Sequence, residues 1–134
     1  MLAPSRYFCT LGALLLAAAT LTGALSAHVL HSRLTADRFE VLQTAVQYQF
    51  FHALGLLAIG LLYERLPARL LLWAGTLVAA GALLFSGSLY LLLAGAPRLL
   101  GALTPIGGLA LIAGWVTAAL AMFLQRRGSG GVRP

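Results

Sequence analysis

Side chains able to do acid–base or hydrogen-bonding chemistry recur at intervals of four in the stretch TAVQYQFFHAL, which begins at Thr44. Thr44, Tyr48 and His52 share one face of a helix there, because residues i and i+4 lie one turn apart. Gln47 flanks this face, and we expect Gln49 to point elsewhere. An imidazole in such a position can act as a general base or as a two-ended hydrogen-bonding tie.

A second group of hydroxyls lies in another apolar stretch, GALLFSGSLYLL. If the second helix starts at the outer membrane surface near Val41 and the third ends there near Ala94, a rise of 1.5 Å per residue places His52 about 16 Å deep and Ser86 about 12 Å deep. His28 and Thr104 then fall within a few ångströms of the outer surface. We therefore expect the polar groups to converge on the outer half of the protein.

An unpaired polar group in hydrocarbon costs several kcal/mol, so we expect these residues to be interior. They should bond to one another or line a small hydrated cavity. The candidate polar cluster consists of His28, Thr44, Gln47, Tyr48, His52, Ser86, Ser88, Tyr90 and Thr104.

The same residues do not make up a convincing catalytic or cofactor site. A serine nucleophile would need His52 as its base and a third group to orient the base, and no third group is evident. His28 and His52 differ by about 12 Å in depth, which is unsuitable for two axial ligands of one haem. We expect no catalytic residue, no metal and no cofactor, and therefore no enzyme.

The elements that position these residues follow from hydropathy. The 134-residue chain is 60% hydrophobic and only 9% charged, with a mean hydropathy of +0.93. Four apolar stretches are long enough to cross about 30 Å of hydrocarbon as helices. We predict an all-α membrane protein, an antiparallel four-transmembrane-helix bundle in one domain (1–126). Its helices are expected at about 7–30, 36–62, 70–94 and 103–124, with a disordered tail at 127–134.

Arginine counting gives the orientation, because short loops next to spanning helices are richer in Lys and Arg on the cytoplasmic side. Placing both termini in the cytoplasm puts six arginines there and three outside. The six are Arg6, Arg65, Arg69, Arg126, Arg127 and Arg133, and the three are Arg33, Arg38 and Arg98. The net charge of +6 comes from scattered arginines without a basic aromatic face, so nucleic acid is not an expected partner.

Helix association in lipid requires small residues at the contacts. One stripe of them is expected on each of three helices: Ala13, Ala17, Thr20, Ala24 and Ala27 on the first, Gly75, Ala79, Ala82 and Ser86 on the third, and Ala110, Gly114 and Ala118 on the fourth. The glycines expected to pack helices are Gly23, Gly87, Gly107, Gly108 and Gly114.

Helix starts carry their own signals. Thr35 or Asp37 is expected to cap the second helix, and Glu40 stands at the capping-box distance from Asp37. Thr104 is expected to cap the fourth helix, with Pro105 at its first position. One alternative stays open for the first helix: GALSA before His28 imitates a signal-peptide cleavage site.

Four motifs in order, GALSAHVL, TAVQYQFFHALGLL, GALLFSGSLYLL and LTPIGGLALIAGW, resemble the small integral-membrane family catalogued as domain of unknown function 423, with its YgdD-like and transmembrane protein 256-like members. The resemblance covers about residues 7–124. Two departures occur where the family often has glycine, at Ser26 and Val29. The resemblance implies a four-helix inner-membrane protein whose biochemical role is unassigned.

We therefore expect a small, multi-pass protein of the inner (plasma) membrane in contact with the lipid bilayer. The preferred role is non-catalytic packing, assembly or regulation, with a membrane-protein partner or as a homo-oligomer. The alternative is a pathway or binding pocket for a small molecule, ion or lipid-like ligand in the outer half of the bundle, formed by an oligomer.

Overall fold

The fold is all-helical, as predicted. The structure, a computed structural model, describes residues 3–128, with side chains described as far as Leu124. Its four long helices are α1 Pro4–Leu25, α2 Ala36–Arg65, α3 Arg69–Leu93 and α4 Leu103–Gly128. A π-helical turn, Ser26–Leu30, continues α1, and a 3-10 turn, Arg98–Ala102, precedes α4. The expected tail at 127–134 lies outside the described residues from 129 onward.

All four helices are long and apolar enough to cross a membrane, which confirms the predicted number of spans. We call the end of the bundle with the α1–α2 and α3–α4 connections the upper end. The lower end holds Pro4, the α2–α3 connection and Gly128. Consecutive helices are antiparallel, as their short connections require. The orientation of the bundle in the membrane, with both termini in the cytoplasm, stays a prediction.

Helix ends are set mostly by backbone geometry. Pro4 stands at the start of α1, where its missing N–H costs nothing. Thr35 occupies the cap position of α2 with an extended backbone, but neither it nor the expected capping box supplies a side-chain hydrogen bond. At the end of α3, Gly95 adopts φ 94°, a conformation that favours glycine. Arg38 donates a hydrogen bond to the Leu93 carbonyl, which ties the start of α2 to this end of α3.

Helices α2 and α3 form the centre of the bundle. α1 packs chiefly on α2, and α4 packs chiefly on α3. Each outer helix also reaches across with one aromatic ring: Phe8 of α1 lies over Gly75 of α3, and Trp115 of α4 lies over Gly55 of α2. A Cβ at Gly75 would lie 2.6 Å from Phe8 ring atoms and one at Gly55 would lie within 2.5 Å of Trp115 ring atoms, so neither ring could keep its position over a larger residue.

Close helix approach depends on a few glycines. A Cβ at Gly107 would lie 2.5 Å from the Phe85 backbone nitrogen, and one at Gly114 would lie 2.7 Å from a Val78 methyl. Gly12 and Gly60 hold α1 against α2 in the same way, with Cβ positions 2.9 and 3.0 Å from carbonyl oxygens. These contacts bring backbones together where lipid supplies no hydrophobic driving force.

Two packing expectations are wrong. The small-residue stripe expected on the first helix is exposed at all five positions, and α1 instead buries Phe8, Gly12 and Ala19. A Cβ at Gly87 would meet nothing within 4 Å, so Gly87 is not a packing glycine. Sequence periodicity defines the faces of a helix but not which face is turned toward its neighbour. On α3 the expected stripe from Gly75 to Ser86 is buried.

Candidate functional site

A groove on the side of the bundle, between α2 and α4, holds the central part of the candidate cluster. We call it the aromatic groove, and it has a volume of about 490 Å³. This is within the range of about 300–1,000 Å³ typical of small-molecule sites. Its walls are formed by Gln47, Tyr48, Phe51, His52, Phe85, Gly108, Leu111, Ile112 and Trp115.

Four rings from three helices form a continuous column along this groove. Tyr48 stacks on Phe85 with ring centroids 4.3 Å apart and planes at 21°. Tyr48 also stacks on the His52 ring, with ring centroids 5.6 Å apart and planes at 22°. Trp115 completes the column at 6.1 Å from His52. The column therefore joins α2 to both α3 and α4 and fixes the orientation of the imidazole.

The hydrogen bond of His52 determines which ring nitrogen is available. Its Nδ1 lies 2.7 Å from the Tyr48 carbonyl oxygen one turn earlier. Because a carbonyl can only accept, Nδ1 carries the proton, and in the neutral ring Nε2 is then an acceptor. Among the described residues no protein group donates to Nε2. The groove thus presents one lone pair in apolar, aromatic surroundings.

Ser88 and Thr104 form a separate tie between α3 and α4. The Ser88 hydroxyl donates to the Phe85 carbonyl at 2.9 Å. The Thr104 hydroxyl lies 2.7 Å from Ser88 Oγ, and it must be the donor because the Ser88 proton is already used. The expected helix start is therefore wrong: α4 begins at Leu103, before Pro105, and Thr104 bonds to Ser88.

The remaining members of the candidate cluster lie apart from the aromatic groove. Ser86 and Tyr90, one turn apart on α3, have buried hydroxyl oxygens without a hydrogen-bond partner in the described structure. His28 is exposed on the π-helical turn, and Thr44 is exposed beside a shallow depression at the upper end. The expectation of one interior cluster is wrong, because the helix rotations turn these residues toward different neighbours.

Gln49 points away from the face of Thr44, Tyr48 and His52, as expected, but the sequence did not identify it as a contact between helices. Its side chain is buried, and Nε2 donates to the Leu15 carbonyl of α1 at 2.8 Å. Ala45 and Ala53, one turn to either side, are fully buried. Ala45, Gln49 and Ala53 are spaced by four and share one helix face, and this small-polar-small pattern is typical of a face that contacts another helix. Gln49 thus joins α1 to α2.

A second groove lies on the other side of α2, against the upper part of α1. We call it the glutamine groove, and its volume is about 390 Å³. Gln43 and Gln47 line it together with Gly23 and Ala27. Both glutamine side chains are exposed, and the described residues supply no hydrogen bond to either. Gly23 makes only an ordinary contact here, with a Cβ position 3.6 Å from Val46.

The family description "Protein of unknown function (DUF423)" matches residues 22–108 of the chain. This range includes the α2 and α3 walls of the aromatic groove and the Ser88–Thr104 tie. The chain belongs to the DUF423 family.

Relatives of this DUF423 protein extend over most of its length. It is 42% identical over 118 residues to a UPF0382 membrane protein of Staphylococcus haemolyticus, covering 88% of this chain and 96% of the relative. For the UPF0382 membrane protein YwdK of Bacillus subtilis the identity is 39%, covering 87% and 95%. For the UPF0382 inner membrane protein YgdD of Escherichia coli K12 it is 37%, covering 79% and 82%. No solved structure matches the chain.

Family membership and the four spanning helices agree on location. The DUF423 protein is a small, multi-pass protein of the inner (plasma) membrane. Its exposed leucines, isoleucines and aromatic rings are therefore in contact with the lipid bilayer. At the depth of the hydrocarbon core, a polar atom on a lipid-facing surface has hydrocarbon rather than water as its neighbour.

Proposed function

We propose that the protein is a non-catalytic membrane protein that binds an amphipathic, lipid-like molecule in the aromatic groove. The observation that carries the proposal is the unpartnered acceptor Nε2 of His52 in a groove open to the side of the bundle. Leaving this acceptor in hydrocarbon is unfavourable. A ligand that donates one hydrogen bond and fills the apolar walls removes that penalty.

The non-catalytic part of the proposal rests on how the reactive groups are engaged. The Ser88 hydroxyl is bonded to Phe85 and Thr104. The Tyr48 carbonyl holds His52 with Nε2 as the acceptor, but no serine, threonine or cysteine is among the residues that line the aromatic groove. Ser86 is buried outside the residues that line the aromatic groove. These contacts support binding and packing roles for the residues that a hydrolase would need.

The test is native mass spectrometry of protein incubated with a total lipid extract of its expression host. Wild-type protein is expected to retain a bound lipid-like molecule, and His52→Leu is expected to lose it. Thr44→Val is the matched control, because it replaces a polar residue of the same helix outside the aromatic groove. Equal retention by wild-type protein and His52→Leu would refute the proposal.

A second candidate function is assembly with another copy of this chain through the glutamine groove. The observation that favours it is the pairing of two exposed amides with an exposed row of small residues on α1. Ala27, at the end of that row, lines the groove with Gln43 and Gln47, and Ala24 is exposed one turn before it. A primary amide both donates and accepts, so equivalent glutamines of two copies can bond reciprocally about a two-fold axis along the membrane normal.

The assembly candidate is tested by disulfide crosslinking in native membranes. A cysteine at Ala24, in a Cys9→Ser background, is expected to crosslink two copies upon oxidation, and added Gln43→Leu should reduce the yield. A cysteine at Leu83, which is exposed on α3, is the control and should remain monomeric. Equal crosslinking from both positions would indicate random collision and exclude this interface.

A further inference from the structure

The chemical class of the groove's ligand can be narrowed by the depth of His52. Glu40 and Glu64 bound the uncharged stretch of α2, and His52 lies twelve residues from each. At 1.5 Å per residue this is about 18 Å in both directions, while the hydrocarbon core is about 30 Å thick. The Nε2 acceptor is therefore near the middle of the bilayer.

This depth excludes ligands whose polar group remains at the membrane surface. The head groups of phospholipids and simple fatty alcohols lie in the interfacial region, about 15 Å from the middle of the core. Their acyl chains, which do reach His52, have no hydrogen-bond donor. The donor must belong to an uncharged polar group that enters the hydrocarbon.

The walls indicate the shape of that group. Five of the nine groove residues carry a ring, and Tyr48, His52, Phe85 and Trp115 form the column described above. Aromatic pairs in offset-stacked or edge-to-face geometry are favourable beyond the burial of their area. A flat ring therefore gains more from these walls than a flexible chain does. Gln47, nearer the upper end, adds an amide that can donate or accept.

We propose that the aromatic groove binds a hydroquinone-type ring with an apolar tail, whose hydroxyl donates to His52 Nε2. This inference rests on the proposed function, that the groove binds an amphipathic molecule. A hydroquinone is flat and uncharged, and it supplies hydroxyl donors, whereas the corresponding quinone has only acceptor oxygens. The groove consequently distinguishes the two redox forms: the reduced form completes the hydrogen bond, and the oxidised form faces another acceptor.

The chain provides its own optical reporter for this ligand. It contains two tryptophans, of which Trp115 lines the groove and Trp73 is 62% exposed on the lipid-facing side of α3. A Trp73→Phe variant leaves Trp115 as the single reporter. The reverse variant, Trp115→Phe, leaves Trp73 to report unspecific partitioning of the probe into the bilayer.

The experiment titrates full-length Trp73→Phe protein in lipid nanodiscs with decylhydroquinone, with decylquinone and with decanol as a competitor. Trp115 quenching by the hydroquinone should saturate, and Trp73 quenching should only increase linearly. One hydrogen bond contributes about 0.5–1.5 kcal/mol, so binding should weaken about two- to tenfold for the quinone and for His52→Leu. Decanol should not displace the hydroquinone at equal membrane concentration.

Three outcomes would overturn the inference. Displacement by decanol at equal concentration would show that the groove does not select a ring, yet would leave the proposed function intact. Equal affinity for hydroquinone and quinone would show that His52 Nε2 is not the acceptor. Linear quenching of both tryptophans would show that no hydroquinone site exists. Lipid retention by native mass spectrometry, with its His52→Leu comparison, tests the proposed function separately.

Discussion

Replacing Gly107 with alanine should loosen the contact between α3 and α4, whereas the same change at the adjacent Gly108 should not. The added Cβ at Gly107 would lie 2.5 Å from the Phe85 nitrogen, 2.9 Å from its Cα and 3.0 Å from the Gly81 carbonyl oxygen. All three are backbone atoms, so no rotamer change can relieve the overlap. At Gly108 the added Cβ would meet only Phe85 ring atoms, at 3.8 and 3.9 Å, which is ordinary contact.

The magnitudes follow from opposing terms. Alanine gains about 1 kcal/mol over glycine from helix propensity at either position. At Gly107 the helices must move apart by about 1 Å to reach ordinary contact, and a gap of 0.5–1 Å forfeits a quarter to a half of each dispersion interaction. Overpacking of this kind costs about 1–3 kcal/mol. Subtracting the gain from the cost, we expect Gly107→Ala to destabilise by up to about 2 kcal/mol and Gly108→Ala to stabilise by up to about 1 kcal/mol.

The measurement is the free energy of unfolding in mixed micelles, titrated with SDS and followed by helical circular dichroism. Gly87→Ala is a second control, because its Cβ would meet nothing within 4 Å, and it should behave like Gly108→Ala. Equal stability changes at Gly107 and Gly108 would refute the reasoning. They would mean that α3 and α4 do not approach through the Gly107 backbone.

Three further predictions test other parts of the molecule. With both termini cytoplasmic, a cysteine replacing Thr35 in a cysteine-free chain should react with an impermeant reagent from outside; labelling only after the membrane is opened would reverse the orientation. Gln49→Leu should lower the unfolding free energy by about 0.6–1.7 kcal/mol through loss of the α1–α2 hydrogen bond. Gln43→Leu, at an exposed position, should not lower the unfolding free energy. Equal losses from the two variants would show that the Gln49 hydrogen bond does not stabilise the α1–α2 contact. A double-mutant cycle of Ser88→Ala and Thr104→Val should give a coupling of about 0.5–1.5 kcal/mol, and additive losses would show that the hydroxyls act independently.

Hydropathy alone determined the all-helical class and the number of spans. Each apolar stretch is long enough to cross the bilayer, and a backbone in hydrocarbon must satisfy its hydrogen bonds within the segment, which leaves only helices for such lengths. The predicted boundaries differ from the observed ones mainly at charged ends: α2 continues to Arg65 beyond the expected 62. Helices extend past the membrane surface where water still solvates Glu64 and Arg65.

Residue pattern also identified part of the site. The spacing of four correctly placed Tyr48 and His52 together, because that relation is internal to one helix. The Ser88–Thr104 bond joins two members of the candidate cluster that helix rise predicts to lie in the outer half of the bundle. Relations of this kind depend on distance along helix axes, which the sequence encodes directly.

Only the tertiary structure decided which face of each helix meets which neighbour. Gln49 and Gln47 lie two residues apart, yet the first is buried against α1 and the second lines two grooves. Gly87 and Gly107 looked equivalent as packing glycines, yet only Gly107 touches a neighbouring backbone. The rotation of each helix is set by the summed fit of all its side chains against other helices. That fit depends on contacts between residues distant in the chain, so the spacing of residues within one helix does not predict it.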